Sequence, residues 1–438
     1  MQGEALLDLF RQFPSVSTDT RSVKPGDLFF ALRGDRFDGN QFAAQALEQG
    51  AARAIVDQLD CCPPGDGRYI FVNDSLVALQ RLASAWRQSF RIPVVGLTGS
   101  NGKTTSKELI ASVLSVRFRT HATRGNLNNH IGVPLTLLAM PADTEIAIVE
   151  MGTNQPGDIA ELAAIAQPTH SIITNVGYAH IENLGSLDGV RREKGAIFDY
   201  IRACGGLIFR NEADPNTALA GQGHPQAVTY GTETSDFFHR VLESRLDQMD
   251  VEIHARHWAQ PERFRSQLSG AHNAMNVLLA AAVGTRFGLS PDEIREGIWR
   301  YAPVSNRSQL IRRGPYAVWM DAYNANPSSM RAAIEHVASL HPQGLALVLG
   351  DMLELGPQGP ALHAEIGRLA RSLRPHVLIG VGPLMQHAVA EAGPDAHWFP
   401  DAAAAREALP GLLGGASVVL FKGSRGMALE RLLEVLPA

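Results

Sequence analysis

An α/β protein of three domains is what this sequence of 438 residues predicts. Three observations predict it. Short apolar runs alternate with helical patterns through most of the chain, the signature of parallel sheets covered on both faces. The rhythm restarts near residues 92 and 303, which divides the chain into segments 1–91, 92–302 and 303–438, in keeping with about 150 residues per domain. Hydrophobic residues make up 45% and charged residues 19%, enough apolar material for several cores.

The first segment reads as a small mixed α/β domain. A strand at Asp27–Leu32 is followed by the polar loop Arg33–Asn40 and a helix carrying Phe42, Ala43, Ala46 and Leu47 at helical spacing. Short strands at Ala54–Val56 and Tyr69–Val72 precede a helix at Ala78–Phe90, which Pro93 follows. The second segment alternates strands at Ile92–Leu97, Glu145–Val149, Ser171–Val176 and Gly206–Phe209 with helices at Ser106–Val116 and Asp158–Ala166. Residues 228–268 are irregular, with room for antiparallel strands, and helix Ala271–Phe287 closes the segment. In the third, Ala317–Met320, Leu345–Leu349, Val377–Val381 and Val418–Phe421 each precede a turn and a helical pattern. That is a second, Rossmann-like unit of doubly wound type. The alanines 402–405 read as helix, since Ala favours it.

Composition excludes several classes. No apolar run approaches the roughly 18 residues of a membrane span. A net charge of −5 speaks against a general nucleic-acid binder. The N-terminus lacks a basic start and Asp8 breaks its apolar stretch, so no signal peptide is expected. Cys61, Cys62 and Cys204 form an odd set with two adjacent members, which suits neither a disulfide framework nor a four-ligand zinc site. A reducing, cytoplasmic compartment is the expectation.

The clearest chemical signal is Thr98-Gly-Ser-Asn-Gly-Lys-Thr-Thr105, set between a buried strand and a helix. Gly99 and Gly102 permit torsions that turn the amides of Ser100, Asn101 and their neighbours toward phosphate oxygens. The helix N-terminus adds a favourable dipole and free N–H groups. Lys103 can neutralise β/γ-phosphate charge and the Thr104 hydroxyl can ligate magnesium. The usual spacing wants glycine where this chain has Leu97, and the strand–loop–helix context is what carries the assignment to a nucleoside triphosphate. Downstream, Glu150 ends a strand of the same sheet, where a carboxylate suits a phosphate-bound metal. His180 follows another strand, and Lys194 lies at an expected helix start. Each has a plainer reading: an exposed or capping histidine, and a solvated lysine.

Together these pieces resemble the Mur ligase family. The phosphate loop is followed by Gly125-Asn-Leu-Asn-Asn-His-Ile-Gly-Val-Pro134, Ile148-Val-Glu-Met-Gly152, Asn175-Val-Gly-Tyr-Ala-His180 and Glu193-Lys-Gly-Ala-Ile-Phe198. Then come His272-Asn-Ala-Met-Asn276, Asp321-Ala-Tyr-Asn-Ala-Asn-Pro-Ser-Ser-Met330, Gly350-Asp-Met-Leu-Glu-Leu-Gly356 and Lys422-Gly-Ser-Arg425. The match runs from about residue 16 to residue 426, in the family's order. It departs at Ser305-Asn-Arg307, where Pro-Gly-Arg is common, at Gly270-Ala271, where Gly-Arg is common, and at Asn40, where histidine is frequent.

The resemblance implies a UDP-binding N-terminal domain, a central phosphate-loop ATPase domain and a C-terminal domain that closes over the site. Its second and seventh blocks are most like the branch that joins D-alanyl-D-alanine to UDP-N-acetylmuramoyl-tripeptide. That implies an ATP-dependent amide ligase working through an acyl phosphate, with ATP and two magnesium ions, as a monomer. The branch that adds the third residue shares Thr18-Asp-Thr-Arg21 but carries an Asp-Asn-Pro-Arg motif absent here. Folate polyglutamylating enzymes lack the UDP-binding domain. A phosphate-loop switch with no ligation chemistry is the rival from another class.

By the same resemblance Lys103, His180, Lys194 and Arg307 are the catalytic set. Thr104, Glu150, His180 and Lys194 are expected at the metals, Lys194 as the family's often carbamylated lysine, a modification that needs a neutral amine. Asn273 and Asn276 are expected at the adenine, Arg307 at the γ-phosphate and Asp321 at the ribose, with a helix cap as the competing role of Asp321. Thr18, Asp19, Arg21 and Asn40 are assigned to the UDP moiety, although Asp19 and Arg21 also suit a salt-bridged turn. Asn128, Asn129, Asn324, Asn326, Lys422 and Arg425 complete the substrate set. A turn-building role competes for Asn324 and Asn326, and ordinary solvated charge competes for Lys422 and Arg425.

Overall fold

The computed structural model describes residues 3–34, 37–303, 306–341 and 343–437. Asp35 and Arg36 of the polar N-terminal loop, and Ser305 before Arg307, lie outside the described residues. The described chain builds three α/β units, each on its own sheet.

In the first unit strands Val16–Ser17, Leu28–Phe30, Arg53–Val56 and Tyr69–Phe71 form a parallel sheet in that order. An unpredicted helix, Gly3–Gln12, buries Leu6 and Phe10 against it. Those two residues stand four apart, so one helix face points inward.

The second unit carries a nine-stranded sheet. From one edge the order is Thr120–Ala122, Ile146–Glu150, Val94–Thr98, His170–Ile173, Leu207–Asn211, Ala227–Tyr230 and Phe237–Ser244, all parallel. Strands Met249–Ala255 and Glu262–Ser266 then continue it antiparallel. Val94–Thr98 is central and buried throughout. Helix Lys103–Leu114 sends Leu109, Ile110, Val113 and Leu114 into the core, each worth roughly 1.5–3 kcal/mol of burial. The strand after Val94–Thr98 in the chain lies on one side of it and the later His170–Ile173 on the other. The reversal opens a crevice at the carboxyl ends of these strands, where α/β folds bind ligands.

The third unit has sheet order Gln309–Arg313, Tyr316–Asp321, Val418–Lys422, Leu345–Gly350, Val377–Val381 and Ala396–Phe399, the first strand antiparallel and the rest parallel. Its two outer strands are half exposed, which is why their sequences show no strong apolar run. Residues 402–405 are helical as expected. The expected helix after Val418–Lys422 is instead a pair of 3-10 segments, Arg425–Met427 and Leu429–Val435. No helix among the described residues is long and apolar enough to cross a membrane.

Candidate active site

A cleft of about 620 Å³ lies between the second and third units, lined by the phosphate loop, Glu150, His180, Arg307, Asp321, Asn326 and Lys422 among others. Sheet register brings the first of these together. Leu97 pairs with Glu150 and Thr98 with Ile173, so the phosphate loop leaves the central strand with Glu150 on one flank and Thr174-Asn175 on the other.

The loop is preorganised by its neighbours. Asn175 accepts from Ser100 N through its backbone oxygen and from Asn101 N through Oδ1, at 3.0 and 2.9 Å. Thr174 Oγ1 donates to Asn101 O at 2.6 Å. The amides of Ser100 and Asn101 are thus engaged within the protein rather than turned to phosphate, and those of Gly102 at the helix cap and of Lys103, Thr104 and Thr105 in the first turn are left for an anion. Gly99 has φ +151°, and a Cβ there would stand 1.9 Å from Thr174 Oγ1. Gly102 has φ +74° and would press on Asn276 Oδ1. Lys103 Nζ donates to Gly99 O at 2.7 Å. Burial holds its pKa below that of an ordinary lysine, against the pull of Glu150.

Glu150 is 1% exposed. Its Oε1 accepts from Asn128 Nδ2 at 2.8 Å and Thr104 Oγ1 at 3.3 Å, while Oε2 is buried without a partner. An orphaned carboxylate oxygen beside a threonine hydroxyl at a phosphate loop suits a hard divalent cation, which takes one or two carboxylates plus phosphate oxygens. His180 lines the same cleft. The described residues hold no cluster of three His, Cys, Asp or Glu side chains, so such a cation would depend on nucleotide oxygens for the rest of its shell.

Lys194 is not at a helix start. The helix runs Leu187–Cys204, capped by Ser186, and Lys194 lies in its interior. It is 1% exposed, and burial together with the nearby Lys103 charge pushes its pKa well below the ordinary lysine value. The solvated-lysine reading is therefore wrong. Adjacent Glu193 is committed to capping the helix Asp158–Ala166, accepting from Gly157 N and Ile159 N.

Asn276 sits beneath the phosphate loop, accepting from Ser106 Oγ and donating to Asn273 Oδ1. Asn273 donates to Ser269 O. Both are buried and face inward as well as onto the cleft.

The third unit reaches the loop directly. Asn326 Nδ2 donates to Asn101 Oδ1 at 2.7 Å, and Asn101 Nδ2 donates to Ser328 Oγ at 3.0 Å. Arg307 stacks on the Tyr323 ring, its guanidinium carbon 3.6 Å from the centroid. Asp321 ends a strand in register with Lys422, and the two form an ion pair of 2.5 Å. Asp321 also accepts from Ser308 N. It caps no helix. Asn326 does that, in a capping box with Ser329 at the start of Pro327–Leu340. Lys422 is 2% exposed, so solvated charge does not describe it. Asn324 lines the cleft, and its backbone oxygen accepts from Lys422 Nζ.

Other expected residues are not gathered here. Arg425 is exposed and pairs with Glu430. Asn129, by contrast, does line the cleft, and its Oδ1 accepts from Ile131 N and Gly132 N at the entry to the helix Gly132–Leu138. In the first unit Asp19 and Arg21 form an exposed two-point pair, and Thr18 precedes it. Asn40 is buried and bonded to Asp38 and Asp57, which leaves it a structural part of that loop. The motif reading missed Asn175, Tyr323 and Ser328. All three stand inside blocks it singled out, so polar residues flanking the motif glycines and prolines were the available signal.

Comparison with known proteins agrees with this geometry. Residues 12–87 match the model of the Mur ligase family catalytic domain, 97–284 the Mur ligase middle domain and 306–425 the Mur ligase glutamate ligase domain. A protein of Bacillus subtilis (strain 168) called UDP-N-acetylmuramoyl-tripeptide–D-alanyl-D-alanine ligase is 38% identical over 96% of this chain and 92% of its own. The protein of that name from Escherichia coli (strain K12) is 35% identical over 96% and 93%. The crystal structure of MurF from Acinetobacter baumannii superposes with a TM-score of 0.89 at 31% identity, covering 99% of this chain and 98% of that one. MurF ligase from Thermotoga maritima, in complex with ADP, gives 0.86 at 26% identity, covering 98% and 97%. Matched along nearly its whole length in sequence and in structure, this chain belongs to the Mur ligase family.

Proposed function

We propose that the chain is an ATP-dependent, ADP-forming amide ligase that joins D-alanyl-D-alanine to UDP-N-acetylmuramoyl-tripeptide, giving the pentapeptide precursor of peptidoglycan. The observation that carries this reading is the single cleft in which the phosphate loop, Glu150 and His180 face Arg307, Asp321 and Asn326 of the third unit. The near-full-length relatives named for this reaction support the choice of substrates. The ligase named for 2,6-diaminopimelate addition shares the fold at a TM-score of 0.53 and 17% identity.

A carboxylate is a poor electrophile at neutral pH. Its oxygen first attacks the γ-phosphorus of ATP and ADP departs. The amine of the dipeptide then attacks the acyl carbon, loses a proton, and phosphate leaves with the C–O bond. Every reactant is charged, so the protein's task is alignment and the offsetting of like-charge repulsion. Lys103 and the amides of Lys103 to Thr105 hold the β- and γ-phosphates. Arg307, fixed on Tyr323, approaches from the opposite wall. Thr104, Glu150 and His180 would hold magnesium, which supplies charge neutralisation on the phosphates and the acceptor carboxylate. Lys194 joins them as a carbamate, since its buried position favours the neutral amine that reacts with carbon dioxide. Asn273 and Asn276 serve the adenine side, and Asp321 with Lys422 positions the third-unit end of the cleft.

Residues 1–91 hold the UDP moiety. Thr18, Asp19 and Arg21 contribute, and the Arg21 side chain is 87% exposed, so that its fork would leave Asp19 for a diphosphate. Residues 92–302 take ATP, and residues 303–438 take the dipeptide. The enzyme works as a monomer in the cytoplasm, where ATP and nucleotide-linked precursors are found together.

The test is phosphate release from MgATP with UDP-muramoyl-tripeptide, with and without D-alanyl-D-alanine. Release that needs both, with a UDP-pentapeptide product, is expected. Release with neither peptide would reduce the reading to a nucleotide site alone. For Lys194, activity falls in bicarbonate-depleted buffer and returns on adding bicarbonate; full activity of Lys194→Ala would remove the carbamate from the scheme.

A further inference from the structure

The segment Thr174–Gly177 grips the phosphate loop with main chain and side chains. Asn175 accepts from the amides of Ser100 and Asn101, and Thr174 Oγ1 donates to Asn101 O. Ser100 Oγ donates to Gly177 O at 3.0 Å and accepts from Gly177 N at 2.9 Å. This segment lies past the end of the strand His170–Ile173, whose matched pairs with Leu207–Asn211 run to Ile172 with Phe209. Beyond that point the main-chain groups facing Leu207–Asn211 must find partners outside the ladder. Two side chains supply them. Asn211 Nδ2 donates to Thr174 O at 2.9 Å, and Asp214 Oδ2 accepts from Val176 N at 2.9 Å. Asn211 is buried, and its Oδ1 accepts from Ala213 N, which fixes the turn between the two. Asp214 Oδ1 meanwhile caps the helix Pro215–Ala220, accepting from Asn216 N and Thr217 N. Neither Asn211 nor Asp214 lines the cleft.

We propose that Asn211 and Asp214 are positioning residues for the nucleotide: they continue the sheet's ladder with side chains past the strand ends, and so fix the segment that sets the phosphate loop. A helix cap needs only one carboxylate oxygen. The second oxygen of Asp214, on Val176 N, is a bond the helix does not require. Any displacement of the segment passes straight to the loop, because Gly99 packs on Thr174 with no room for a Cβ and close-packed contacts transmit strain. The amides from Gly102 to Thr105 are thereby aimed from a neighbouring strand, by residues that never touch the phosphates. This role rests on the nucleotide site described above and not on the choice of peptide substrates.

The test measures, on the full chain, ADP binding by calorimetry, hydrogen exchange of residues 98–105 and thermal unfolding. Asp214→Ser keeps a capping oxygen but is too short to hold Val176 N as well. Its ADP affinity falls about tenfold, the scale of one hydrogen bond to a charged group, the amides of Ser100 and Asn101 exchange faster, and Tm stays within about 2 °C of the native value. Asn211→Ala, which removes the donor to Thr174 O, shows the same loss of affinity and of protection. Ser290→Ala uncaps the helix Pro291–Arg300; it lowers Tm and leaves ADP affinity within about twofold. Native ADP affinity in either Asp214→Ser or Asn211→Ala overturns the proposal. Equal weakening by Ser290→Ala overturns it too, since lost stability alone would then account for the effect. Failure of the native protein to bind ADP removes the nucleotide site and the proposal with it. A native protein that binds ADP but forms no amide, with both variants weakened, faults the substrate reading and supports the positioning role.

Discussion

Acid should loosen the contact between the second and third units through His336. This residue lies on the helix Pro327–Leu340 of the third unit, and its Nε2 bonds Ser269 Oγ of the second at 2.9 Å. Its ring meets the edge of Trp319 at 4.8 Å and faces His272 at 6.3 Å. Beyond His272 stand Asp321 and Lys422. Burial lowers the pKa of His336 from 6.5 to about 4, and His272 adds to the shift. Above pH 6.5 neither folded nor unfolded chain protonates it. Between 6.5 and about 4 the unfolded chain takes up a proton that the folded one refuses, so stability falls as pH falls. Below about 4 both forms are charged and the loss is complete.

A displacement of that size corresponds to about 3 kcal/mol at most, and partial exposure of the ring reduces it to about 2 kcal/mol. The variant is His336→Gln, which can still bond Ser269 but does not titrate. His170, also lowered to about 4 by burial, is common to both proteins and cancels in the difference. Thermal unfolding from pH 7.5 to 4 should show the native protein losing about 4–8 °C relative to the variant, at roughly 2–4 °C per kcal/mol. A difference that stays flat across this range, or that moves in favour of the native protein, refutes the argument.

Three other perturbations follow from the same geometry. Gly99→Ala places a methyl 1.9 Å from Thr174 Oγ1 at φ +151°; ATP affinity measured by calorimetry should fall at least tenfold, and near-native affinity would mean that the loop is not held as described. Asn326→Ala removes the cap of its helix, worth about 1 kcal/mol, together with the bond to Asn101, so both thermal stability and the rate of phosphate release should drop. Lys422→Met strands the largely buried Asp321 carboxylate. It should cost about 2–4 kcal/mol in urea unfolding, and adding Asp321→Asn should recover much of that, because a lone buried charge costs more than a lost pair.

Much of the central unit was legible because buried parallel strands are short apolar runs, and four of them mark the sheet that carries the loop. Lys194 lies in the interior of its helix and not at its start. In the structure Gly195 is interior, its missing side chain facing Ala220, and the true start is Ser186. Asp321 was weighed as a cap because it precedes a helical pattern. Asn326 stands immediately before Pro327, the better start signal, and takes that role. The outer strands Gln309–Arg313 and Ala396–Phe399 carry polar, half-exposed residues and left no periodic mark. The contacts between units could not be read at all. Asn101 with Asn326, and His180 with Glu354, are polar pairs far apart in the chain, and no local pattern links their members.

Those contacts bear on why ligation needs more than one unit. An acyl phosphate exposed to water is lost, so the chemistry should begin only after the third unit has arrived. The loop that takes the triphosphate is the surface on which that unit docks, because Asn101 bonds both Asn326 and Ser328. Its main chain is meanwhile held by Asn175 and Thr174. A triphosphate on this loop would therefore lie beside the contact that joins the two units, where its binding energy could stabilise that contact. Arg307 of the third unit and Lys103 of the second line the same cleft, so the charges that would offset the triphosphate are complete only with both units present.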